Sequence, residues 1–381
     1  MITREEFQRR QEAARRLAAD AGFAGLIAVG RSFYDRPGPL AYLTNHFPPF
    51  PATAFSPGMR GLGHGVLVLP VAGDPVLCID LRPYRKDLVA VDDVRQSNDL
   101  VELVAGALRE KGLATARLGL AGWDILPLAF YRDLTTLLPD LVLEPADALL
   151  NRLRRIKSEA EIGLLRRAAR IAGAGLEGAL RAVRPGVTEA EVCAAGTAAA
   201  LRAGADFVRY LRVHSGPWSA AGSRWPQATD RRLEPGDLVA LDIIGAYQGY
   251  QFDVNRSTVV GEPDDRQRRL LEAVYLASRR MVERCWPGTP AAELVRVARR
   301  CLDEFGFGAY AAGMMGHGIG LETVEDPYIV ADSDAVLEPG MVLAVEPGVF
   351  IPGWGGANIE EILVVRDGPP EVLTLIPARL W

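Results

Sequence analysis

The stretch "LVALDIIGAYQGYQFDVNRSTVV", residues 238–260, constrains the fold more than any other. Apolar and β-branched residues flank "YQGY", the pattern of two strands joined by a tight turn. A turn centred between Tyr247 and Gln248 would set Asp242 directly opposite Asp253. Direct cross-strand partners share a face with Cβ atoms about 4.5–5.5 Å apart, where like charges repel. Asp242 also lies between Leu241 and Ile243, in what reads as a buried strand, and an unpaired buried carboxylate is strongly destabilising. One such aspartate alone is ordinarily a satisfied structural residue, so the argument turns on whether the figure recurs.

It does. "MVLAVEPG" and "NIEEILVV" read as strands joined by "VFIPGWGGA", and a turn centred at Gly353 sets Glu346 opposite Glu360. By the two-residue period of a strand, Glu361 points to the other face. A third element, "GMMGHGIG", holds His317 between glycines that let backbone approach closely. Four converging carboxylates and an imidazole form a cation site, because the cation removes their repulsion. Oxygen ligands with one imidazole suit Mn, Fe, Co or Zn. Five ligands with four negative charges suffice for two divalent ions, which in such sites lie about 3.5–4 Å apart with water or hydroxide between them. "GHGIG" does not follow the strand-to-helix pattern of a phosphate-cradling loop.

The remaining sequence bounds the class. At 381 residues, 49% hydrophobic and 24% charged, the chain is long enough for two domains with substantial cores. A net charge of −5 offers no basic face to nucleic acid or an anionic membrane. Cys78, Cys193, Cys285 and Cys301 show no CxxC spacing, which argues against a zinc ribbon or a disulfide scaffold and suits a cytoplasmic protein. No apolar signal segment is visible at the N-terminus, and runs such as "GVLVLPVAG" are too short to span a bilayer.

Strands ("GLIAVG", "GVLVLP", "VLCIDL") alternate with helical patterns through residues 1–150, which predicts an α/β domain. From residue 151 a charged hinge enters helices with capping boxes at Ser158/Glu161 and Thr188/Glu191. Another helix follows Asp264, and Thr289 reads as the cap of one with Pro290 in its first turn. The rest of residues 151–381 reads as strands and turns. The expected class is α+β, with the second domain's helices on a largely antiparallel sheet.

"DIIGAYQGYQFDVNRST", "GHGIG", "AVEPG" and "NIEE" resemble, in order, spacing and flanking glycines, the metal-binding motifs of the prolidase, Xaa-Pro aminopeptidase and creatinase superfamily. The resemblance covers the second domain, and the first domain with the "RRIKSEAEI" hinge is similar to the creatinase-type N-terminal half. It implies a pita-bread catalytic domain with a curved sheet behind a creatinase-like N-terminal domain. It also implies Asp242, Asp253, His317, Glu346 and Glu360 as ligands of two metal ions, Glu346 assisting the attacking water, and a homodimer. The implied reaction is cleavage of an amide C–N bond in a short peptide by metal-bound hydroxide.

Departures from the family pattern fall on the substrate side. Trp225 stands where the peptidases carry a histidine before "DR.L..GD", Val324 replaces a second histidine in "LETVEDP", and Asn358 replaces an arginine. Losing one donor to a tetrahedral intermediate costs on the order of 10²–10³ in rate. Trp225 could wall a cyclic or cationic molecule, and His214 could serve as a substitute donor. His46 and His64 could reach the site only as wall residues. Two alternatives therefore stand beside the peptidase: a relative acting on a specialised small molecule (a cyclic amidine, a modified amino acid or a lyase substrate), and a non-catalytic binding protein.

Overall fold

The structure is a computed structural model and describes residues 2–53, 58–222 and 225–381. Two compact units divide the chain, residues 1–154 and 155–381.

In the first unit α1 (Arg4–Asp20) is capped by the Thr3 side chain and precedes β1 (Gly25–Arg31) and α2 (Gly38–Thr44). β2 (His64–Pro70), β3 (Val76–Ile79) and β4 (Asp93–Gln96) follow, then α3 (Leu100–Glu110), β5 (Arg117–Ala121), α4 (Leu128–Leu137), β6 (Val142–Pro145) and α5 (Asp147–Arg155). The six strands form one sheet in the order β4-β3-β2-β1-β5-β6. β1–β2 and β2–β3 are antiparallel and the other pairs parallel. Ile27, Val29, Val66, Val68 and Leu120 from the strands pack with Val101, Val104 and Leu108 of α3 and Phe130 and Leu134 of α4. The alternation of strand and helix has therefore produced an α/β layer, as its periodicity predicts.

The second unit begins with α6 (Glu159–Ala182) and α7 (Glu189–Arg202), both opened by complete capping boxes at Ser158/Glu161 and Thr188/Glu191. Next come β7 (Phe207–Ser215), β8 (Leu238–Tyr247), β9 (Tyr250–Val259), α8 (Asp265–Val282), capped by Asp264, and α9 (Ala291–Glu304). The residue capping α9 is Pro290, with no side-chain bond, rather than Thr289; the Ala291 N–H is satisfied instead by the carbonyl of Ala335. Short strands complete the unit: β10 (Gly316–Gly318), β11 (Glu325–Tyr328), β12 (Val342–Val345), β13 (Gly348–Ile351), β14 (Gly355–Asn358), β15 (Glu361–Val364) and β16 (Glu371–Val372).

All pairings of named strands in this unit are antiparallel, in sheets ordered β7-β8-β9, β11-β10-β12-β15-β16 and β13-β14. α6 packs on β8 and β9 while α7 packs on β7. Small residues let the two helices come close: a Cβ on Gly196 would lie 2.9 Å from the Gly175 carbonyl oxygen. α8 and α9 supply Leu270, Val274, Leu294, Val295 and Ala298 to the core behind the five-stranded sheet. No helix among the described residues is long and apolar enough to cross a membrane.

Candidate metal centre

One face of the three-stranded sheet forms one wall of a pocket of about 240 Å³. Tyr210, Arg212 and His214 of β7, Ala240, Asp242 and Ile244 of β8, and Asp253 and Asn255 of β9 all line it. They share a face because side chains alternate along a strand and the pairing aligns them in rows: Arg212 opposite Asp242 opposite Asn255, and Tyr210 opposite Ile244 opposite Asp253. The hairpin register thus differs from the sequence expectation. Tyr247 pairs with Tyr250, and the turn lies at Gln248 and Gly249, whose φ angles of 48° and 79° are left-handed. A two-residue turn of this kind needs positive φ at both central positions, and glycine takes the second without strain. Asp242 and Asp253 are therefore diagonal neighbours on one face instead of direct partners. The partner moved by two residues, which preserves the face.

The opposite wall comes from the second pair of strands. β12–β15 pairs Val345 with Glu361, and β13–β14 pairs Gly348 with Asn358. Both ladders turn about position 353, where Gly353 has φ of 75°. Glu346 and Glu360 fall in the break between the ladders and so face one another across it. The stretch "VFIPGWGGA", expected as a plain connection, contributes strands of its own. The Glu360 N–H donates to the Asn255 carbonyl, which ties this wall to β9, and the Glu346 N–H donates to the Met315 carbonyl. Glu361 faces away and accepts from Arg256 Nη2 and from the Thr374 hydroxyl.

His317 closes the cluster. A Cβ on Gly316 would lie 2.3 Å from the Ala344 carbonyl oxygen, and one on Gly318 2.4 Å from that of Asp326. Only glycine fits on either side of this histidine. Its Nδ1 lies 2.9 Å from the Gly318 carbonyl, so that nitrogen carries the proton and Nε2 presents a lone pair. Nε2 is 3.5 Å from Glu346 Oε1 and 3.8 Å from Asp253 Oδ2. Burial lowers the His317 pKa, which keeps the imidazole neutral and able to ligate.

The electrostatics point to a cation. Burial raises all four carboxyl pKa values, and the carboxylates' mutual repulsion adds to this at Asp253, Glu346 and Glu360. Asp253 and Glu360 are pushed well above the ordinary range, and Glu346 to about 7. At Asp242 the Arg212 guanidinium opposes burial. Asp242 Oδ1 and Glu360 Oε1 are buried with no hydrogen-bond partner among the described residues. Asp253, His317 and Glu360 offer ligand atoms all within 4.8 Å of one another. Orphaned carboxylate oxygens, mutual repulsion and a neutral imidazole fit a divalent cation.

Of the residues expected on the substrate side, His214, Val324 and Asn358 line the pocket. His214 is buried with Nε2 3.3 Å from the Pro226 carbonyl, and Val324 is 39% exposed at the rim. Asn358 Nδ2 donates to Glu346 Oε2 at 3.3 Å. The structure does not bring Trp225 to the pocket: its side chain is 81% exposed and it is not among the lining residues. His46 and His64 are buried in the first unit, His46 with its pKa pushed down to about 4 by burial.

The residue that sequence reasoning missed is Arg212. Its Nη1 lies 2.6 Å from Asp242 Oδ2, Nη2 bonds the Tyr210 hydroxyl at 2.9 Å, and Nε bonds Gln227 at 3.1 Å. The signal was available. In "RYLRVHSG" the two-residue period puts Tyr210, Arg212 and His214 on one face, on the strand preceding the Asp242 hairpin.

A carboxylate–imidazole cluster in a pocket between antiparallel sheets places the chain among proteins built around a divalent-cation centre. The comparisons specify which. Residues 163–367 match the model of Metallopeptidase family M24, and residues 10–156 match the Creatinase/Prolidase N-terminal domain. The chain is 35% identical over 377 residues to the probable dipeptidase PepE of Mycobacterium tuberculosis, covering 95% of this chain and 93% of the relative. The solved Xaa-Pro dipeptidase from Bacillus anthracis superposes with a TM-score of 0.84 at 31% identity, covering 98% of this chain and 99% of that one. The prolidase from Pyrococcus horikoshii superposes with a TM-score of 0.85 at 26% identity, covering 98% and 100%. The chain belongs to Metallopeptidase family M24, with the pita-bread fold and the creatinase-type N-terminal domain.

Proposed function

We propose that the protein is a dinuclear metallopeptidase that cleaves short Xaa-Pro-type peptides, with Asp242, Asp253, His317, Glu346 and Glu360 as metal ligands. The observation that carries the reading is the cluster of four carboxylates with raised pKa values around one neutral imidazole, Asp242, Asp253 and Glu360 buried and Glu346 partly so, two of their oxygens having no protein partner among the described residues. The names of the relatives, dipeptidase and Xaa-Pro dipeptidase, support the substrate class. Divalent ions at this cluster supply Lewis acidity and lower the pKa of water, so that a nucleophile exists at neutral pH.

The chain's own residues do the rest. Glu346 takes a proton from the attacking water and returns it to the leaving nitrogen, while Asn358 Nδ2 donates to its Oε2. Asn358 holds that carboxylate in orientation. Burial and the nearby carboxylates raise the Tyr210 pKa, so its phenol stays protonated and can donate to the substrate, with His214 beside it on the same face. Met314, Val324 and Phe350 supply apolar wall, which suits a prolyl ring. The same reading carries ions of the manganese, iron, cobalt or zinc type and a cytoplasmic homodimer.

The test is metal quantification on the purified protein, then turnover of a panel of Xaa-Pro dipeptides and small cyclic amides, with Asp253→Ala as control. Metal bound in the parent and lost in the control, with dipeptide turnover, is the expected result. Absence of bound metal, or full activity after exhaustive chelation, would refute the reading. The second reading, a specialised small amide, is favoured by Val324 and Asn358 offering no imidazole or guanidinium at the pocket wall. Turnover of the cyclic amides alone would establish it.

A further inference from the structure

Arg212 stands out because its charge faces a group that the metal reading also needs. It is the single arginine or lysine among the described residues lining the pocket. It is the direct cross-strand partner of Asp242, and the two side chains are each only 10% exposed. Nη1 holds Asp242 Oδ2 at 2.6 Å, while Asp242 Oδ1 has no partner among the described residues. The ligand atoms that lie within 4.8 Å of one another belong to Asp253, His317 and Glu360, and Glu346 Oε1 joins that end 3.5 Å from His317 Nε2, whereas Asp242 is held by Arg212. The centre therefore has two unlike ends. One is a gathered set of carboxylates and a neutral imidazole. The other is a carboxylate half-occupied by a fixed guanidinium.

We infer that Arg212 makes the two ion positions unequal. It acts as a positioning residue that holds Asp242 and weakens ion binding at that end, so that the ion held by Asp253, His317 and Glu360 binds first. The inference rests on the dinuclear reading above. Two physical effects act together. A guanidinium bonded to Asp242 repels a divalent cation a few ångströms away, in a setting too buried for water to screen it. The same bond also engages one lone pair of Oδ2, leaving Oδ1 as the oxygen of that carboxylate without a protein partner among the described residues. The Tyr210 hydroxyl and Gln227 fix the guanidinium from its other edges, so it cannot swing away freely when an ion arrives.

The experiment is calorimetric titration of metal-free protein with manganese chloride, comparing the parent, Arg212→Met and Arg212→Lys. The parent should take one ion tightly and a second at least tenfold more weakly. Arg212→Met, which keeps the stem and removes the charge, should tighten the second ion tenfold or more and leave the first within about threefold. Arg212→Lys keeps the charge and should retain the unequal pair. Circular dichroism and the melting temperature of each metal-free variant establish that it is folded, and a variant that is not folded is replaced by Arg212→Gln. Two ions binding with affinities indifferent to the charge at position 212 would overturn this inference and leave the metallopeptidase reading intact. No ion binding in any of the proteins would overturn both.

Discussion

Glu346 gives the sharpest test of the idea that this centre is strained without its cations. Its carboxyl is raised from 4.5 to about 7 by burial and by the charge of Asp242. Between those values the folded chain keeps a proton that the unfolded chain has released. The group's contribution to stability is therefore complete below about pH 4.5 and is lost as pH rises through about 7. At about 1.4 kcal/mol for each tenfold change in proton affinity, the full loss is about 3 kcal/mol. The side chain is 20% exposed, so solvent screening brings the expected figure to about 2–3 kcal/mol. Glu346→Gln mimics the protonated form at every pH. In chelator the variant should match the parent near pH 5 and exceed its melting temperature by roughly 5–10 °C at pH 8.5, the shift such an energy produces in a domain of this size. Comparing the two proteins at each pH cancels the other titrating groups, including His46. Saturating manganese should close the gap, since an ion at 100 times its Kd adds about 2.7 kcal/mol to the protein that binds it. Equal melting temperatures at pH 8.5 in chelator, or a gap that does not change with pH, would sink the reasoning.

Three further outcomes follow from the same geometry. Asp253→Ala should abolish turnover, by a factor of about 10³ or more, while its metal-free form melts no lower than the parent at pH 8; a large drop in the metal-free melt would mean that the aspartate is structural. Gly316→Ala forces a Cβ to within 2.3 Å of the Ala344 carbonyl oxygen, so chemical denaturation should show a loss of about 2–4 kcal/mol and calorimetry weakened metal binding through the displaced His317. Trp225→Ala, at an exposed position away from the pocket, should change kcat/KM by less than about threefold and stability by less than about 0.5 kcal/mol; a tenfold loss of kcat/KM would place the indole against the substrate.

The sequence was readable where one rule decided the outcome. Strand alternation alone puts Asp242 and Asp253 on one face, and it tolerates the error in turn position because a shift of one turn residue moves the partner by two. Glu346 and Glu360 were equally legible, since one centre at Gly353 governs both ladders around them. The caps at Ser158 and Thr188 obeyed local rules and formed as read, and a helix follows Asp264 as expected. What stayed hidden depends on where a chain segment goes after it leaves the sheet. Trp225 follows β7 by ten residues, and no periodicity says whether that excursion folds over the pocket or out to solvent. Arg212 was concealed differently. An arginine in a strand reads as an outward, solvated residue, and only the neighbouring strand's aspartate turns it into a buried partner.

The row from Arg212 through Asp242 to Asn255 has a consequence for how such a protein can change. β7 is the edge of its sheet, and it carries Tyr210, Arg212 and His214 but none of the proposed ligands. β8 and β9 carry Asp242 and Asp253. Replacing a side chain on the outer strand reshapes the pocket wall and shifts the field at the ions, while the backbone ladder that positions the two aspartates stays as it was. Selectivity and ion affinity can thus drift together, one edge residue at a time, over a reaction centre that does not move.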